Sequence, residues 1–224
     1  MKTEDKRYGF RVDIRGEYAL FTRPEMKVER VSYDCITPSA ARGILEAVYW
    51  HRGLHYKIDR IYVLNPIKFI NIRRNEVTEK ISASKVLDAV KSGKGNLYIA
   101  TQEKIAQRAS MLLKDVHYVV DAHFVMKADE INITDNEAKF AEIFRRRLHK
   151  GQCFHTPYLG CREFPAIVSP FEEDEIKTAY EGERDLGFML YDMDYSGKDE
   201  ITPQFFRAVL KDGVLDLRNK EVFR

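Results

Sequence analysis

Cysteine, tryptophan and long hydrophobic runs are scarce in this chain of 224 residues, which has three cysteines and one tryptophan. Cys35, Cys153 and Cys161 are odd in number, widely spaced and form no CxxC pair. They predict reduced thiols in a cytoplasmic protein and argue against a disulfide framework or a structural zinc site. No apolar run approaches the length of a membrane span. Residues 1–7 are charged and precede no apolar segment, which argues against a secretory signal.

An excess of charge of either sign is also lacking. Lys and Arg number 37, Asp and Glu number 35, and the formal net charge is +2. A chain this close to neutrality does not by itself predict nucleic-acid binding. The charge is nevertheless segregated, with basic clusters at 73–74 and 145–150 and acidic stretches at 172–175 and 192–200. Such segregation can form a basic groove, although each run can equally be a solvated face.

Familiar catalytic and metal-binding motifs are missing: the chain has no Gly-rich phosphate loop, Ser-His-Asp arrangement or HExxH sequence. Asp192, Asp194, Ser196 and Gly197 do imitate the opening of a calcium loop. Position twelve of such a loop should be a bidentate Glu, but here it is Pro203. The sequence therefore predicts no calcium site, and we expect neither a metal nor a cofactor.

The first half of the chain alternates the periodicities of strands and helices. Phe10, Val12 and Ile14 alternate with charged residues, which is the period of a half-buried strand. Thr37 is placed to cap a helix that has Pro38 at its first position. Also predicted here are an apolar face on that helix (Ala41, Ile44, Leu45 and Val48), a loop at 22–35, strands at 56–64 and 67–72, and a short helix at 82–94 closed by Gly93 and Gly95.

The second half predicts a strand at 117–127, followed by a helix that opens at Asp135 or Asn136 and ends at Gly151. Further strands are predicted at 153–164, with a turn at Gly160, and at 186–191 and 205–217. The order of elements approximates an α+β fold of the ferredoxin-like, RRM-like βαββαβ type with an insertion. Sheets of this type can bind single-stranded RNA.

Two distant segments are the most informative part of the chain. Residues 36–50 read as a capped helix ending in Tyr49 and Trp50, and residues 157–165 read as a turn that carries Arg162 and Glu163. Collinear matches to the same pattern occur at 18–22, 32–33, 114–118, 122–124, 135–139 and 187–195. Together these segments resemble the CRISPR-associated Cas5 family, subtype I-C (Dvulg).

This resemblance implies two domains: a ferredoxin-like RNA-binding and catalytic domain at 1–165, and a small antiparallel β domain at 166–224. It implies an endoribonuclease that recognises the repeat hairpin of CRISPR precursor RNA (pre-crRNA) and cuts at its 3′ base without a metal, through attack by a 2′-hydroxyl. The implied partners are CRISPR RNA, whose 5′ handle stays bound, and the large and backbone subunits of the type I-C interference complex (Cascade). No membrane partner is implied.

The resemblance also implies catalytic roles for Tyr49, which would orient the 2′-hydroxyl, and Lys139, which would stabilise charge on the phosphorane. The family pattern has His directly after this Lys, whereas the present chain has Phe140, which cannot move a proton. Tyr49 as a packing aromatic and Lys139 as a solvated helix residue remain the alternatives. The histidines that could substitute are His51, His117, His123, His149 and His155.

Among these histidines, His51 is closest in sequence to Tyr49. If both residues were helical, an offset of two positions would place them on different sides of the helix. We therefore expect His51 to point away from Tyr49. His117 and His123 are expected to share one strand face.

The predicted RNA-binding residues are Arg145, Arg146, Arg147, Arg162 and Trp50. Adjacent cations near a helix end suit a phosphate backbone, although only some of the three arginines can face it.

Each of the other candidates has an alternative. Arg162 can instead pair with Glu163 to fix the turn. Trp50 and Tyr33 can stack on bases, or Trp50 can belong to the core. At the level of function, the alternative to an enzyme is a non-catalytic scaffold on the 5′ handle. A duplex-DNA binder fits the low net charge poorly.

Overall fold

The computed structural model describes residues 9–26, 28–95, 97–127, 130, 132, 135–195 and 201–224. The predictions made for residues 1–7 and for Ser196 and Gly197 lie outside the described residues. In chain order the described elements are β1 (Gly9–Ala19), β2 (Arg30–Val31), α1 (Pro38–Val48), β3 (Leu54–Val63), β4 (Phe69–Val77), α2 (Ala83–Ser92), a 3-10 turn (Thr101–Glu103), β5 (Ile105–Met126), α3 (Glu137–His149), β6 (Ile167–Pro170), β7 (Glu183–Asp194), β8 (Thr202–Lys211) and β9 (Val214–Asp216).

All the strands of the described chain join one sheet. Seven of them follow the order β6-β1-β5-β3-β9-β8-β7, and β2 and β4 pair with β5 beside this path. The β2–β5 pairing is parallel, and the other pairings are antiparallel. The molecule is therefore a mixed α/β protein with a mostly antiparallel sheet and few helices.

The core lies between the helices and one face of the central strands. The alternation predicted for β1 is confirmed, because Phe10, Val12 and Ile14 are buried. Val12 pairs with Val120 of β5. The ring of Phe10 lies 4.4 Å from that of Phe144 on α3, measured between centroids. This aromatic packing joins the helix to the sheet.

Side-chain caps begin each α-helix of the described chain, and the caps of α1 and α3 lie where the sequence predicts them. The Thr37 hydroxyl accepts a hydrogen bond from the Ala40 N–H, and the Asn136 side chain accepts one from the Lys139 N–H. The helix predicted at 82–94 is confirmed as α2, which Ser82 caps and which ends at the left-handed Gly93. Unlike α1 and α3, α2 buries no residue and lies between β4 and β5.

Several predicted strands differ in extent from those observed. The strand predicted at 117–127 is the end of β5, which spans 22 residues because its first half pairs with β4. The strand predicted at 67–72 extends to Val77. The strand predicted at 205–217 is divided into β8 and β9 by left-handed conformations at Asp212 and Gly213. The loop predicted at 22–35 contains the short strand β2.

The prediction of a strand at 153–164 is wrong. Only an isolated bridge, Tyr158 to Pro165, is formed there. Gly160 has φ +84°, a left-handed conformation that ends an extended run. The Leu20 N–H donates to the Leu159 carbonyl at 3.0 Å, which holds this turn against the end of β1. The segment is therefore a turn docked on β1, and β6 begins after it.

The close approach of Gly160 to the Leu20 backbone leads to a prediction about stability. A Cβ added there would lie 2.0 Å from the Leu20 carbonyl oxygen, in a backbone conformation that L residues disfavour. We expect Gly160→Ala to lower the free energy of unfolding by roughly 3 kcal/mol, from left-handed strain plus overpacking. Urea unfolding measures this loss.

Gly151→Ala is the matched control, because Gly151 has φ +61° but open space around its added Cβ. It should lose only about 1 kcal/mol, the cost of the left-handed conformation alone. Equal losses in the two variants would contradict the close approach of Gly160 to β1.

Candidate functional site

The carboxyl end of α1 is the meeting point of three distant segments. The Ala47 carbonyl accepts from the Phe154 N–H at 2.7 Å, and the Val48 carbonyl accepts from the Arg147 guanidinium at 3.2 Å. The Tyr49 carbonyl accepts from the Tyr56 hydroxyl at 2.8 Å. The last carbonyls of a helix have no partner within it, so these groups satisfy them from outside. An Arg at this end also suits the helix dipole.

Tyr49 leaves the helix with φ −147° and ψ 113°, an extended conformation. In extended backbone, residues two positions apart point to the same side. The rings of Tyr49 and His51 accordingly both contact Phe140, at centroid distances of 6.2 Å and 4.7 Å. The expectation that His51 points away from Tyr49 is wrong, because it assumed that both residues are helical.

Lys139 and Asp135 complete this group of side chains. The Lys139 Nζ lies 2.7 Å from Asp135 Oδ1 and 5.9 Å from the centre of the Phe140 ring. The His51 Nε2 lies 3.9 Å from Asp135 Oδ2. We call Tyr49, His51, Asp135 and Lys139 the Phe140 cluster. The cluster combines a phenol, an imidazole, an ammonium and a carboxylate around one ring that is 1% exposed.

The charges in the cluster set the protonation states of Tyr49 and Asp135. Burial raises the pKa of the Tyr49 phenol, although Arg147 and Lys139 oppose that shift. The hydrogen bond from Lys139, helped by the backbone N–H of Asn132, lowers the pKa of Asp135. At neutral pH, Tyr49 is therefore a hydrogen-bond donor and Asp135 is an anion. Such a group can bind a phosphate and exchange a proton with it.

The three predicted arginines of α3 point in different directions. Arg147 faces the cluster, with its Cζ 5.0 Å from the centre of the Tyr49 ring. Arg145 lies on the Phe10 ring at 5.6 Å, and Arg146 is exposed. The structure therefore brings Arg147, rather than the whole basic cluster, to Tyr49 and Lys139.

The predicted Arg-Glu pair has a different partner. Glu163 Oε1 contacts Arg74 Nη1 at 2.7 Å, whereas Arg162 is exposed and makes no ion pair with a described residue. Intramolecular pairing of Arg162 with Glu163, the alternative to RNA binding, is therefore wrong. The sequence alone could not predict this ion pair, because Arg74 lies on β4, 89 residues from Glu163.

The two aromatic candidates differ in exposure. Trp50 is 53% exposed, so the alternative that it belongs to the core is wrong. Its ring stacks on that of Phe154, with 6.2 Å between centroids and 28° between planes. Tyr33 is only 2% exposed and lies beneath Arg23, so it is unable to stack on a base.

The other histidines lie outside the Phe140 cluster. His117 pairs with Asp13 at 2.5 Å, and His123 pairs with Asp59 at 2.8 Å. Both histidines are on strand β5, on the face opposite the buried residues Val120 and Phe124. His149 lies 3.7 Å from Glu172 at an exposed position, and His155 stacks on Tyr158. Of the five candidate histidines, His51 is thus the one that contacts Phe140 and lies near Asp135, and so shares the cluster with Tyr49 and Lys139.

The part of the chain that the structure describes contains neither a metal-binding cluster nor a membrane-spanning helix. No group of three or more His, Cys, Asp or Glu side chains is arranged there to hold a metal ion. Asp192, the first residue of the calcium-like stretch, binds the Arg42 guanidinium through both carboxylate oxygens, at 2.8 and 2.9 Å. No helix in the described chain combines the length and apolarity needed to cross a bilayer.

Comparison with known proteins identifies the family. Residues 9–218 match the family model Cas_Cas5d, described as CRISPR-associated protein (Cas_Cas5). The chain therefore belongs to the CRISPR-associated Cas5 family, as the sequence motifs predict.

Similar proteins span nearly the whole chain. The chain is 50% identical over 213 residues to the CRISPR pre-crRNA endoribonuclease Cas5d of Mannheimia succiniciproducens, covering 92% of this chain and 93% of that one. It is 38% identical over 234 residues to the protein of the same name from Thermus thermophilus, covering 96% and 94%. A crystal structure of a CRISPR-associated protein matches with a TM-score of 0.69 and 25% identity, covering 96% of both chains.

The electrostatics of the cluster yield a titration prediction. The pKa of the Tyr49 phenol should lie above its ordinary value, because burial raises it. Lys139→Gln should raise this pKa further by removing a cation, and Asp135→Asn should lower it by removing an anion. Carbon-13 NMR of tyrosines labelled at Cζ measures both shifts. Shifts of the opposite sign, or none, would show that Lys139 and Asp135 do not face Tyr49.

Proposed function

We propose that this chain is an endoribonuclease that cuts CRISPR repeat RNA at the base of its hairpin without a metal ion and then stays on the 5′ handle. The observation that carries the proposal is the Phe140 cluster, which gathers a proton donor, a proton acceptor and a cation around one ring. The Lys139 and His51 side chains in it are 45% and 30% exposed, whereas Tyr49 is 8% exposed. Family membership and the names of the two relatives supply the substrate class.

The cluster suits cleavage by the neighbouring 2′-hydroxyl. In this reaction the O2′–P bond forms while the P–O5′ bond breaks, leaving a 2′,3′-cyclic phosphate and a 5′-hydroxyl. Tyr49, protonated at neutral pH, donates a hydrogen bond that orients the reacting groups. Lys139, with its side chain 45% exposed, places an ammonium where the phosphorane develops negative charge. Arg147, beside Tyr49, adds a second cation.

We assign the proton transfer to His51, in place of the His that the family pattern has at Phe140. The His51 Nδ1 lies 2.6 Å from the Arg52 carbonyl, which can only accept, so Nδ1 carries the proton. The lone pair of Nε2 is then available to take the proton of the 2′-hydroxyl. Asp135, 3.9 Å from Nε2, stabilises the imidazolium that forms. The 5′-oxygen takes its proton from water, and the hydroxide left behind removes the proton from the His51 imidazolium, which restores the neutral ring.

The architecture of the proposed enzyme has two parts. We propose that β1, α1, β3, β5, α3 and β6 form a ferredoxin-like unit, and that β7, β8 and β9 form the small C-terminal unit. The order β6-β1-β5-β3 supports this division. Since β6 follows residue 165 and pairs with β1, we place it with the N-terminal unit.

We further propose that the chain works in the cytoplasm as a subunit of the type I-C interference complex, beside the large and backbone subunits. Its family supports this assignment. The proposed contacts for the 5′ handle are the exposed residues Arg145, Arg146, Arg162 and Trp50. The alternative function is a non-catalytic scaffold on that handle. Phe140 favours this alternative, because it cannot transfer a proton, unless His51 does so in its place.

A cleavage assay tests the proposed function. The purified protein is incubated with its own repeat RNA in excess EDTA, and the products are resolved on a denaturing gel. We expect one cut at the hairpin base, blocked by a 2′-deoxy substitution at the cleaved nucleotide. Hairpin-specific binding without any cut would instead make the chain a scaffold.

Substitutions in the cluster test the assigned roles. Tyr49→Phe, Lys139→Ala and His51→Gln should each lower the single-turnover cleavage rate at least tenfold, about 1.4 kcal/mol of transition-state stabilisation. Affinity for 2′-deoxy-blocked RNA should change much less. The control is His149→Gln, an exposed histidine outside the cluster, which should cut at the wild-type rate.

The pH profile isolates His51. A general base acts only in its unprotonated form, so the wild-type rate should fall as the pH is lowered. His51→Gln should lose that fall and retain a slower rate that varies little with pH. A profile of unchanged shape in His51→Gln would remove His51 from the mechanism.

A further inference from the structure

A cavity lies beside α1, ahead of the Phe140 cluster along the helix. It has a volume of about 450 Å³, is partly open to solvent and is bordered by α1, the end of β1 and the turn at Gly160. This is within the range of roughly 300–1,000 Å³ that small-molecule sites occupy. Its polar lining residues are Thr22, Thr37, Ser39, Glu46, His155 and Tyr158. None of them belongs to the Phe140 cluster.

Gly43 forms part of the cavity wall, in the middle of α1. A Cβ added to Gly43 would meet nothing within 4 Å. No close packing therefore requires glycine here, although glycine weakens a helix interior relative to alanine. The missing side chain instead leaves room in the cavity. Gly43 precedes Tyr49 by six residues, which is about 9 Å along the helix axis.

A row of aromatic rings leads to the cavity from Trp50, which lies between Tyr49 and His51 in the chain. Trp50 stacks on Phe154, Phe154 contacts His155, and His155 stacks on Tyr158, with 6.0 to 6.4 Å between successive centroids. We call these four residues the aromatic row. Phe154 is 64% exposed, so the row presents ring surface to solvent rather than filling the core. Exposed rings in series are a stacking platform for unpaired bases.

Glu46 gives the cavity a chemical preference. Its Oε1 accepts from Arg42 at 2.7 Å, and a carboxylate has further lone pairs that can accept. A carboxylate cannot donate, so it suits a base edge with an exocyclic amino group. Arg42 in turn binds Asp192 of β7, and although neither residue lines the cavity, these bonds fix the position of the Glu46 carboxylate.

We propose that the cavity binds one unpaired nucleobase of the repeat RNA, with an exocyclic amino group, while the aromatic row stacks on its neighbours. The proposal rests on the proposed function, because it takes its ligand from there. It adds a base-reading subsite to the cleavage site. The RNA strand would pass from the Phe140 cluster along Trp50 and Phe154 to the wall formed by Gly43 and Glu46.

Filling the cavity provides the test. Gly43→Met places a flexible side chain in the cavity, and Met has a higher helix propensity than Gly, so Tm should be at or above that of wild type. Affinity for 2′-deoxy-blocked repeat RNA should fall at least tenfold. Gly43→Ala, which removes little volume, should raise Tm and lose much less affinity.

Two further measurements locate the base. Repeat RNA carrying 2-aminopurine at one unpaired position at a time should show a fluorescence change at one position, lost in Gly43→Met. Uracil at that position should weaken binding to wild type but not to Glu46→Gln. Phe154→Ala should also weaken binding, whereas Phe188→Ala, a 57% exposed control on β7, should not.

The outcomes separate the two proposals. If wild type binds and cuts the repeat while Gly43→Met binds as tightly, the base subsite is overturned and the nuclease stands. If wild type neither binds nor cuts the repeat, both proposals fail. Weaker binding by Gly43→Met together with a lowered Tm would mark a folding defect. Phe154→Ala then decides the matter: weaker binding supports the subsite and unchanged binding overturns it.

Discussion

The candidate site depends on how the last carbonyls of α1 are satisfied. A helix that ends in the interior leaves carbonyls that need partners from other segments. Here the partners are the Phe154 N–H, the Arg147 guanidinium and the Tyr56 hydroxyl, which come from the turn segment, α3 and β3. These bonds hold Tyr49 in an extended conformation. They also bring α3 close enough for Lys139 and Phe140 to lie beside Tyr49.

The packing at the end of α1 also explains how a buried Phe140 can occupy the position where the family pattern has a His. Phe140 is almost fully enclosed and contacts the rings of both Tyr49 and His51. It therefore acts as a packing centre that positions the polar groups around it. A phenol, an imidazole and an ammonium on such a centre need little reorganisation when charge develops, which is the condition for electrostatic stabilisation of a transition state.

Local elements of the fold could be predicted because their causes are local. Thr37 and Asn136 cap helices through their own side chains, and the alternation in β1 follows from one buried face. The position of His51 could not be predicted, because it depends on Tyr56 and Arg147, which bind backbone carbonyls at the end of α1. The partner of Glu163 could not be predicted either, because the ion pair depends on a tertiary contact with Arg74 on β4. Tertiary contacts override local patterns at both places.

The central claim is that Tyr49 and His51 act on one transition state, and a double-substitution cycle tests it most directly. Single-turnover rates in EDTA would be compared for wild type, Tyr49→Phe, His51→Gln and the double variant. Groups that act as a unit lose their effect together, so the double variant should be little slower than the slower single variant. Rate losses that multiply in the double variant, or a wild-type rate in His51→Gln, would contradict the account.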